Sequence, residues 1–194
     1  MSLPRQRVYL IRHGETQWSL SRRHTGLTDI PLTDNGRAVA GRLARVLAPQ
    51  NFQLVLVSPL RRARETCELA GLGPRATVTA DLCEWNYGEY EGLTPQQIRA
   101  RTPAWLIFRD GCPGGESPRQ VGDRVDRVLA RVRSVEGDVA LFAHGHLLRV
   151  LAARWLDLAV ADGRRFLLDT GTFSVLSYYD AAAAIERWNI PPAN

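Results

Sequence analysis

The chain has 194 residues, a formal net charge of +5 and a hydrophobic content of 45%. This length and composition predict one globular domain over residues 1–194 and argue against a disordered chain. No apolar run is long enough to span a bilayer, and Met1–Arg7 leads into the first strand without the apolar core of a signal peptide. A cytoplasmic location is therefore expected.

All 25 basic residues are arginines, and they are dispersed along the chain. Without lysine, Schiff-base chemistry and a P-loop are excluded. A basic protein attracts phosphate backbones, but no recognisable nucleic-acid module accompanies the charge. The composition therefore favours a small anionic substrate, with neither nucleic acid nor a membrane as partner, and leaves a homodimer open. The three cysteines contain no C-x-x-C pair, so neither a disulfide framework nor structural zinc is expected.

The first predicted element is a buried strand over residues 8–11, which stops at Arg12, His13 and Gly14. A glycine at a strand end permits a sharp turn and lets a ligand approach the backbone. A neutral imidazole can attack phosphorus, and the planar fork of an adjacent guanidinium matches phosphate oxygens. His13 considered alone is better explained as a loop histidine, because a histidine beside an arginine is common.

A second strand end also carries basic residues. Thr33 is the expected N-cap of a helix that continues to Pro49. The apolar run 54–57 is typical of a strand inside a parallel sheet, and it ends in the segment 58–66, which contains Arg62. A short strand is expected around residues 76–79.

The segment 82–92 interleaves carboxylates with aromatic residues and glycines, so it predicts a stiff loop that could partly desolvate an acid. Residues 95–109 favour a helix broken at Pro103. Ser117 is the expected N-cap of the next helix, with Pro118 at its first position.

The last third of the chain returns to strands. Residues 139–142 predict a buried strand that ends in Ala143-His144-Gly145-His146, and a largely buried helix over 147–158 follows. Residues 173–179 and 185–189 read as two closing strands.

The alternation of strands and helices predicts an α/β fold, a three-layer α/β/α sandwich with a mostly parallel central sheet. Ligands of such sheets bind at the carboxyl ends of the strands. We therefore expect Arg12, His13, Arg62 and His144 to meet in one pocket.

Taken together and in order, the motifs resemble those of the histidine phosphatase superfamily, and this resemblance implies a phosphoglycerate mutase-like fold over nearly the whole chain. The motifs are Arg12-His13-Gly14-Glu15-Thr16, Thr25-Gly26-Leu27-Thr28-Asp29, Ser58-Pro59-Leu60 with Arg62-Ala63, Glu84 with Gly88 and Glu91-Gly92, Gly114-Gly115-Glu116-Ser117, and Ala143-His144-Gly145-His146. Within the superfamily, the Glu84–Gly92, Arg109–Cys112, Phe142–His146 and Phe166–Asp169 segments are most similar to the sedoheptulose-1,7-bisphosphatase-like branch.

The resemblance implies a role for each matching residue. His13 would be the nucleophile that becomes phosphohistidine, and Glu84 the proton donor. Arg12, Arg62 and His144 would hold the phosphoryl oxygens. The substrate-facing positions that the resemblance implies are Ser19, Thr25, Gly26, Tyr87, Gly145 and His146. The mutase branch usually has asparagine at the position of Ser19. The family needs no metal or other cofactor.

The activity implied is hydrolysis of a small phosphorylated substrate, a sugar phosphate or sugar bisphosphate. The short chain favours hydrolysis over the phosphoryl return of a phosphoglycerate mutase, which is the nearest alternative. From the residues alone, Glu89 and Glu91 rival Glu84, and the spacing to the family glycines selects Glu84. Two other classes compete: a metal-dependent hydrolase that uses the imidazoles of His144 and His146, and a non-catalytic binder of phospho-ligands or nucleic acid.

Overall fold

The computed structural model describes residues 6–193, so the prediction about a leader in residues 1–7 lies mostly outside the described part. The strands form one six-stranded sheet in the order β3-β2-β4-β1-β5-β6. They are β1 (Val8–Arg12), β2 (Phe52–Val57), β3 (Ala76–Val78), β4 (Asp138–Ala143), β5 (Phe173–Tyr179) and β6 (Ala182–Ile190). The helices are α1 (Gln17–Leu20), α2 (Asp34–Leu47), α3 (Arg61–Leu69), α4 (Pro95–Arg101), α5 (Ile107–Asp110), α6 (Pro118–Arg133) and α7 (Gly145–Trp155).

The four strands β1 to β4 run parallel, and the β5–β6 hairpin pairs antiparallel with β1 at one side of the sheet. The predicted mostly parallel sheet is confirmed. The register pairs Arg12 of β1 with Ala143 of β4, and Val57 of β2 with Phe142 of β4. The three strands therefore end at the same level, and the residues that follow them meet at one edge.

Helices cover both faces of the sheet because successive side chains of a strand point to opposite sides. Val8 and Leu10 of β1 belong to the apolar cluster that includes α6 and α7. Tyr9 and Ile11 belong to the cluster that includes α2 and α3. This is the three-layer sandwich that the order of the elements predicts.

Two helices begin where their capping residues predict. The hydroxyl of Thr33 accepts a hydrogen bond from Gly36 N at 2.9 Å and caps α2. Ser117 and Gln120 close a reciprocal capping box at the start of α6, with Pro118 at the first helical position. These bonds satisfy amides that the first turn of a helix leaves without partners.

The structure corrects several element boundaries. Residues 61–69, for which the sequence predicted neither helix nor strand, form helix α3, and α7 begins two residues earlier than predicted. The predicted helix over 95–109 is two short helices, α4 and α5, separated by a segment that contains Pro103. Strand β6 begins at Ala182, three residues before the predicted start. Its first three residues are alanines, which pair with β5 in the hairpin but carry no strong strand signal in the sequence. Within residues 6–193, no helix has the length and apolar character needed to cross a membrane.

Candidate active site

The carboxyl ends of β1 and β4 bring two imidazoles together. Arg12 is the last residue of β1, and the amide of His13 continues the ladder by donating to Ala143 O at 3.0 Å. His144 follows β4 and is the N-cap residue of α7. The ring centroids of His13 and His144 are 5.2 Å apart. The predicted meeting of the two strand ends is thus present.

The His13 ring has a defined tautomer. Its Nδ1 lies 2.8 Å from Gly14 O, so Nδ1–H donates and the lone pair of Nε2 stays free. The turn that permits this bond needs a glycine, because a Cβ on Gly14 would lie 2.6 Å from Gly36 O. Burial lowers the pKa of His13 well below 6.5, and the charges of Arg62 and Arg12 lower it further. The ring is therefore neutral at neutral pH, as a nucleophile must be.

Arg62 lies in the first turn of α3 and is fully buried. Its Nη1 donates to Thr28 O at 3.0 Å, and its Nη2 donates to Thr25 O and Gly26 O at 3.0 and 2.8 Å. These carbonyls belong to the polar loop before α2. The loop therefore fixes the guanidinium by three bonds before any substrate is present.

Ser58, the residue after β2, orients His144. The two side chains meet at 2.7 Å, between Ser58 Oγ and His144 Nε2. Ser58 Oγ also accepts from Leu60 N at 3.3 Å, and when its hydroxyl hydrogen points to the imidazole it donates to Nε2. The ring proton of His144 is then on Nδ1. Burial and the neighbouring arginines lower the pKa of His144 well below 6.5, so the ring is neutral.

Unpartnered donors surround His13. Four buried side-chain nitrogens among residues 6–193 have no hydrogen-bond partner. Three of them are Arg12 Nε, Arg62 Nε and His144 Nδ1, and the fourth is Nε of Arg42 on α2. A buried polar group without a partner is costly, and a phosphoryl oxygen is the acceptor that guanidinium and imidazole N–H groups match.

Glu84 is a buried carboxyl with a fixed orientation. Its Oε1 accepts from Trp85 N at 2.9 Å and from Leu147 N at 3.0 Å, and its Oε2 accepts from His146 N at 3.0 Å. Two of these amides belong to the first turn of α7. Each carboxylate oxygen has two lone pairs, so Oε2 keeps one that can carry a proton.

The two rival carboxylates have other positions. Glu89 is exposed. Glu91 is bound in the structure, because both its oxygens accept from Gly26 N, at 2.8 and 3.1 Å, and Oε1 also accepts from Thr28 N at 3.3 Å. Of these three acids, Glu84 lines the pocket that also contains His13.

These groups lie in and behind a pocket of about 240 Å³, here called the first pocket. Its lining includes Arg12, His13 and Glu84, together with five of the predicted substrate-facing residues: Ser19, Thr25, Tyr87, Gly145 and His146. Arg62 and His144 are fully buried behind this lining. The predicted residues therefore gather at one place in the fold, where all but Gly26 line the pocket or lie directly behind its lining.

Comparisons with known proteins agree with this geometry. Residues 8–191 match the model of the histidine phosphatase superfamily, branch 1. The chain belongs to the histidine phosphatase superfamily. It is 42% identical to an acid phosphatase of Mycobacterium tuberculosis, covering 92% of this chain and 89% of that protein. It is 34% identical to the sedoheptulose 1,7-bisphosphatase of Saccharomyces cerevisiae, covering 89% and 87%.

A solved structure from an open reading frame of Mycobacterium tuberculosis superposes with a TM-score of 0.93 at 39% identity, over 97% of this chain and 99% of that one. The chain is thus a phosphatase of this superfamily. The resemblance read from its motifs is confirmed at the level of family, fold and enzyme class.

Two of the predicted substrate-facing residues of this histidine phosphatase, Ser19 and Gly26, form hydrogen bonds within the protein. Ser19 Oγ donates to Thr16 O and accepts from Thr16 N, both at 2.9 Å, in a capping box that starts α1. Its hydroxyl hydrogen is therefore not available to a substrate. Gly26 does not line the first pocket. Its amide donates to Glu91, and its carbonyl accepts from Arg62. Gly26 positions the arginine instead.

The other predicted positions line the first pocket with His13. The hydroxyl of Thr25 donates to Arg23 O at 3.2 Å. Tyr87 Oη lies 2.6 Å from His146 Nδ1, and burial raises the pKa of this phenol well above 10. The phenol therefore donates to the imidazole. Gly145 lets Arg12 approach α7, because a Cβ there would lie 3.1 Å from Arg12 Cζ.

Sequence reasoning missed several lining residues, of which Arg149 is the most informative. Its guanidinium carbon lies 4.7 Å from the centroid of the Phe108 ring. Arg149 follows His146 by three residues on α7, and residues with that spacing share a helix face. The three-residue spacing from His146 therefore indicates, from the sequence alone, that Arg149 lies on the same face of the helix. His24 also lines the pocket, and its ring is stacked on His146 at 5.8 Å between centroids.

The competing metal interpretation has little support in the geometry of this phosphatase. His144 Nε2 is bonded to Ser58, and His146 Nδ1 to Tyr87. Within residues 6–193, no group of three or more His, Cys, Asp or Glu side chains is arranged to hold a metal ion.

Proposed function

We propose that this phosphatase hydrolyses phosphorylated sugars through a phosphohistidine formed on His13, with Glu84 as the proton donor. The observation that carries the proposal is the set of three unpartnered buried donors, on Arg12, Arg62 and His144, around a neutral imidazole. Preorganised donors of this kind stabilise the charge that develops on the equatorial oxygens during phosphoryl transfer.

The first step is attack by His13 Nε2 on phosphorus. The bond between phosphorus and the sugar oxygen breaks, and that oxygen takes the proton that Glu84 carries on Oε2. The leaving group departs as a neutral alcohol. The hydrogen bond from His13 Nδ1 to Gly14 O stabilises the positive charge that the ring acquires.

The second step returns the enzyme to its starting state. Glu84, now ionised, accepts a proton from a water molecule as that water attacks phosphorus. The bond from phosphorus to Nε2 breaks, inorganic phosphate leaves, and His13 is neutral again while Glu84 is protonated. A single carboxyl thus serves as acid and then as base.

Sugars are proposed as substrates on the basis of the relatives and the pocket. Two of the matching relatives are named as an acid phosphatase and a sugar bisphosphatase. Beyond the phosphate position, the first pocket is lined by polar and aromatic groups, among them Tyr87, His146 and His24, which suit the hydroxyls and faces of a sugar. A cytoplasmic location, where such metabolites are made and consumed, belongs to this proposal.

The test is release of inorganic phosphate from a panel of sugar phosphates, measured with EDTA present. We expect hydrolysis by the native enzyme, loss with His13→Ala, and retention with Glu89→Gln, an exposed acid outside the pocket. Hydrolysis of p-nitrophenyl phosphate with none of any sugar phosphate would contradict the substrate class. Loss of all activity on EDTA treatment, with recovery on adding a divalent ion, would contradict the mechanism.

A further inference from the structure

The loop that carries Glu84 has little regular structure of its own. Residues 83–87 lie between two 3-10 turns, Ala80–Leu82 and Gly88–Tyr90, and form neither helix nor strand. Among residues 6–193, no backbone amide donates to the carbonyl oxygens of Cys83 and Glu84. Buried backbone oxygens need hydrogen-bond partners, and in this loop a side chain supplies them.

Arg124 of α6 is that side chain. Its Nη1 donates to Asp81 O at 2.9 Å and to Cys83 O at 2.6 Å, and its Nη2 donates to Glu84 O at 3.2 Å. Its Nε and Nη2 also donate to the two carboxylate oxygens of Glu116, at 2.8 and 3.0 Å. A guanidinium has five N–H groups. These bonds use all of them, and three of the bonds hold the backbone of the loop.

Glu116 binds the next part of the same loop. Its carboxylate accepts from Asn86 N at 2.8 Å, and its own amide donates to Asn86 O at 2.9 Å. Its carbonyl accepts from Trp85 Nε1 at 2.9 Å. Gly115 permits this close approach, since a Cβ there would lie 2.2 Å from Asn86 O. The motif 114–117 therefore brings a carboxylate against the loop.

The ion pair between Glu116 and Arg124 is largely buried, with side-chain exposures of 20% and 9%. Arg124 lies on the buried face of α6 together with Val121 and Val128, where the pattern favours an aliphatic residue. Replacing a buried ion pair by apolar residues of similar volume is often neutral or stabilising. Stability alone therefore gives little reason for a charge here. Neither residue lines the first pocket, so neither acts on a substrate directly.

The proton donor is thus held from two sides. The amides of His146 and Leu147, in the first turn of α7, bind the carboxylate of Glu84, whereas Arg124 of α6 binds its backbone carbonyl. A general acid must lie within about 2.6–3.2 Å of the oxygen that it protonates. A misplacement of about 1 Å can cost about 10²-fold in rate. A shift of the loop would therefore slow protonation of the leaving group without changing the groups that bind the phosphate.

We propose that Arg124 and Glu116 are positioning residues for the proton donor, and that they hold the carboxyl of Glu84 at the distance that protonation of the leaving oxygen requires. The inference rests on the proposed function, in which Glu84 protonates that oxygen. Both residues act through the backbone of the loop. Their replacement should therefore slow substrates that need protonation and spare those that do not.

The test measures kcat/KM on a sugar phosphate and on p-nitrophenyl phosphate, whose aryl group leaves without protonation. Arg124→Lys keeps the charge but replaces the planar fork with a single ammonium group. It should lower kcat/KM by about 10- to 100-fold on the sugar phosphate and by less than about threefold on p-nitrophenyl phosphate. Inhibition by inorganic phosphate should not change, because the groups that bind the phosphate stay in place.

Glu116→Gln is the milder variant, and it decides the question if Arg124→Lys does not fold. It keeps the size of the side chain and one acceptor oxygen but loses the charge that pairs with the guanidinium. The same selective loss on the sugar phosphate is expected, reduced to about three- to tenfold, the equivalent of one hydrogen bond.

Arg154→Lys is the matched control. Arg154 of α7 also makes a two-bond pair with a carboxylate, that of Asp126, and also donates to a backbone carbonyl, Leu158 O. None of these groups lines the first pocket. Whatever stability this variant loses in urea unfolding, the ratio of its kcat/KM values on the two substrates should stay that of the native enzyme.

Glu84→Gln is measured beside these variants as the reference. A selective loss in Glu84→Gln that neither Arg124→Lys nor Glu116→Gln shares would overturn the positioning role and leave the proposed function intact. Equal losses on both substrates in the two positioning variants would also overturn it, because that pattern reports general damage to the fold. Equal losses on both substrates in Glu84→Gln itself would instead refute the proposed function in its choice of proton donor.

Discussion

The two pockets of this phosphatase hold arginines in different ways. In the first pocket, Arg62 is fully buried and its guanidinium is fixed by three backbone carbonyls. A second pocket, of about 270 Å³, is lined by residues of α4, α5 and the 3-10 turn Val160–Arg165. In this second pocket Arg99 and Arg164 are exposed, and neither guanidinium forms an ion pair among residues 6–193. The first arrangement begins at the ends of buried strands, and the second depends on short helices and a 3-10 turn.

The arginines of the two pockets also differ in how well water solvates their charge. Burial lowers the pKa of Arg12 and Arg62, because water no longer solvates their charge. That cost is useful where a transition state must find donors already in place. Arg99 and Arg164 are exposed, so water continues to solvate their charge.

The largest effect within this contrast is expected at the proton donor. Glu84→Gln keeps the size of the side chain but cannot supply a proton, so turnover should fall by roughly 10²–10⁴-fold. The loss should be greatest for alkyl phosphates, since aryl groups leave without protonation. Steady-state rates on a sugar phosphate and on p-nitrophenyl phosphate measure this, and Glu91→Gln tests the nearest alternative. Equal losses on both substrates would assign the proton donor elsewhere.

The buried arginines should dominate phosphate binding. Arg62→Ala and Arg12→Ala should each weaken inhibition by inorganic phosphate by about 10- to 100-fold, because each removes a charge-assisted hydrogen bond. The rise in melting temperature that phosphate causes should shrink in parallel. Arg64→Ala, an exposed arginine of the same helix as Arg62, is the matched control. Unchanged inhibition in either buried variant would place that arginine outside the phosphate site.

Ser58 offers a smaller and more selective change. Ser58→Ala removes the donor that fixes the tautomer of His144, so kcat should fall by about tenfold, the equivalent of one buried hydrogen bond. Ser174→Ala is a matched control, because Ser174 is equally buried and its hydroxyl accepts from Asn189 N, away from the pocket. Both variants should lose stability, measured by urea unfolding. A similar kcat in the two variants would contradict the role of Ser58.

The last expectation concerns stability rather than rate. Burial lowers the pKa of His13, His24, His144 and His146 below 6.5, so below that pH the unfolded chain binds more protons than the folded one. The free energy of unfolding should therefore fall as pH drops from 7.5 to 5.5, by up to about 1.4 kcal/mol per pH unit for each histidine. Urea titrations at fixed pH measure it, and His24→Gln should reduce the slope. A flat profile over this range would contradict the burial of the four rings.

Much of the first pocket could be predicted because its positions follow from the sheet. The apolar runs of β1, β2 and β4 identify buried parallel strands, and parallel strands bring their carboxyl ends together. His13 and His144 are placed by that rule alone. Arg62 was found by its position after β2, although the helix that carries it has too few apolar residues to show the usual periodicity.

The remainder depends on contacts that a linear pattern does not contain. Arg149 was missed because α7 is apolar on several sides, so its sequence does not reveal which face meets the pocket. Ser19 and Gly26 were assigned through the family resemblance, and each has a local partner that competes with a substrate. The second pocket brings together α4, α5 and a 3-10 turn, whose arrangement is set by tertiary packing.

The most direct test of the whole account is detection of a phosphoenzyme on His13. Rapid quenching of the native enzyme with ³²P-labelled substrate should trap an adduct that is labile in acid, stable in base, and maps to His13 by peptide analysis. The adduct should be absent in His13→Ala, and His144→Ala should slow its formation without moving the label. Label on His144, or near-normal hydrolysis by His13→Ala, would contradict the mechanism even though the protein is a phosphatase.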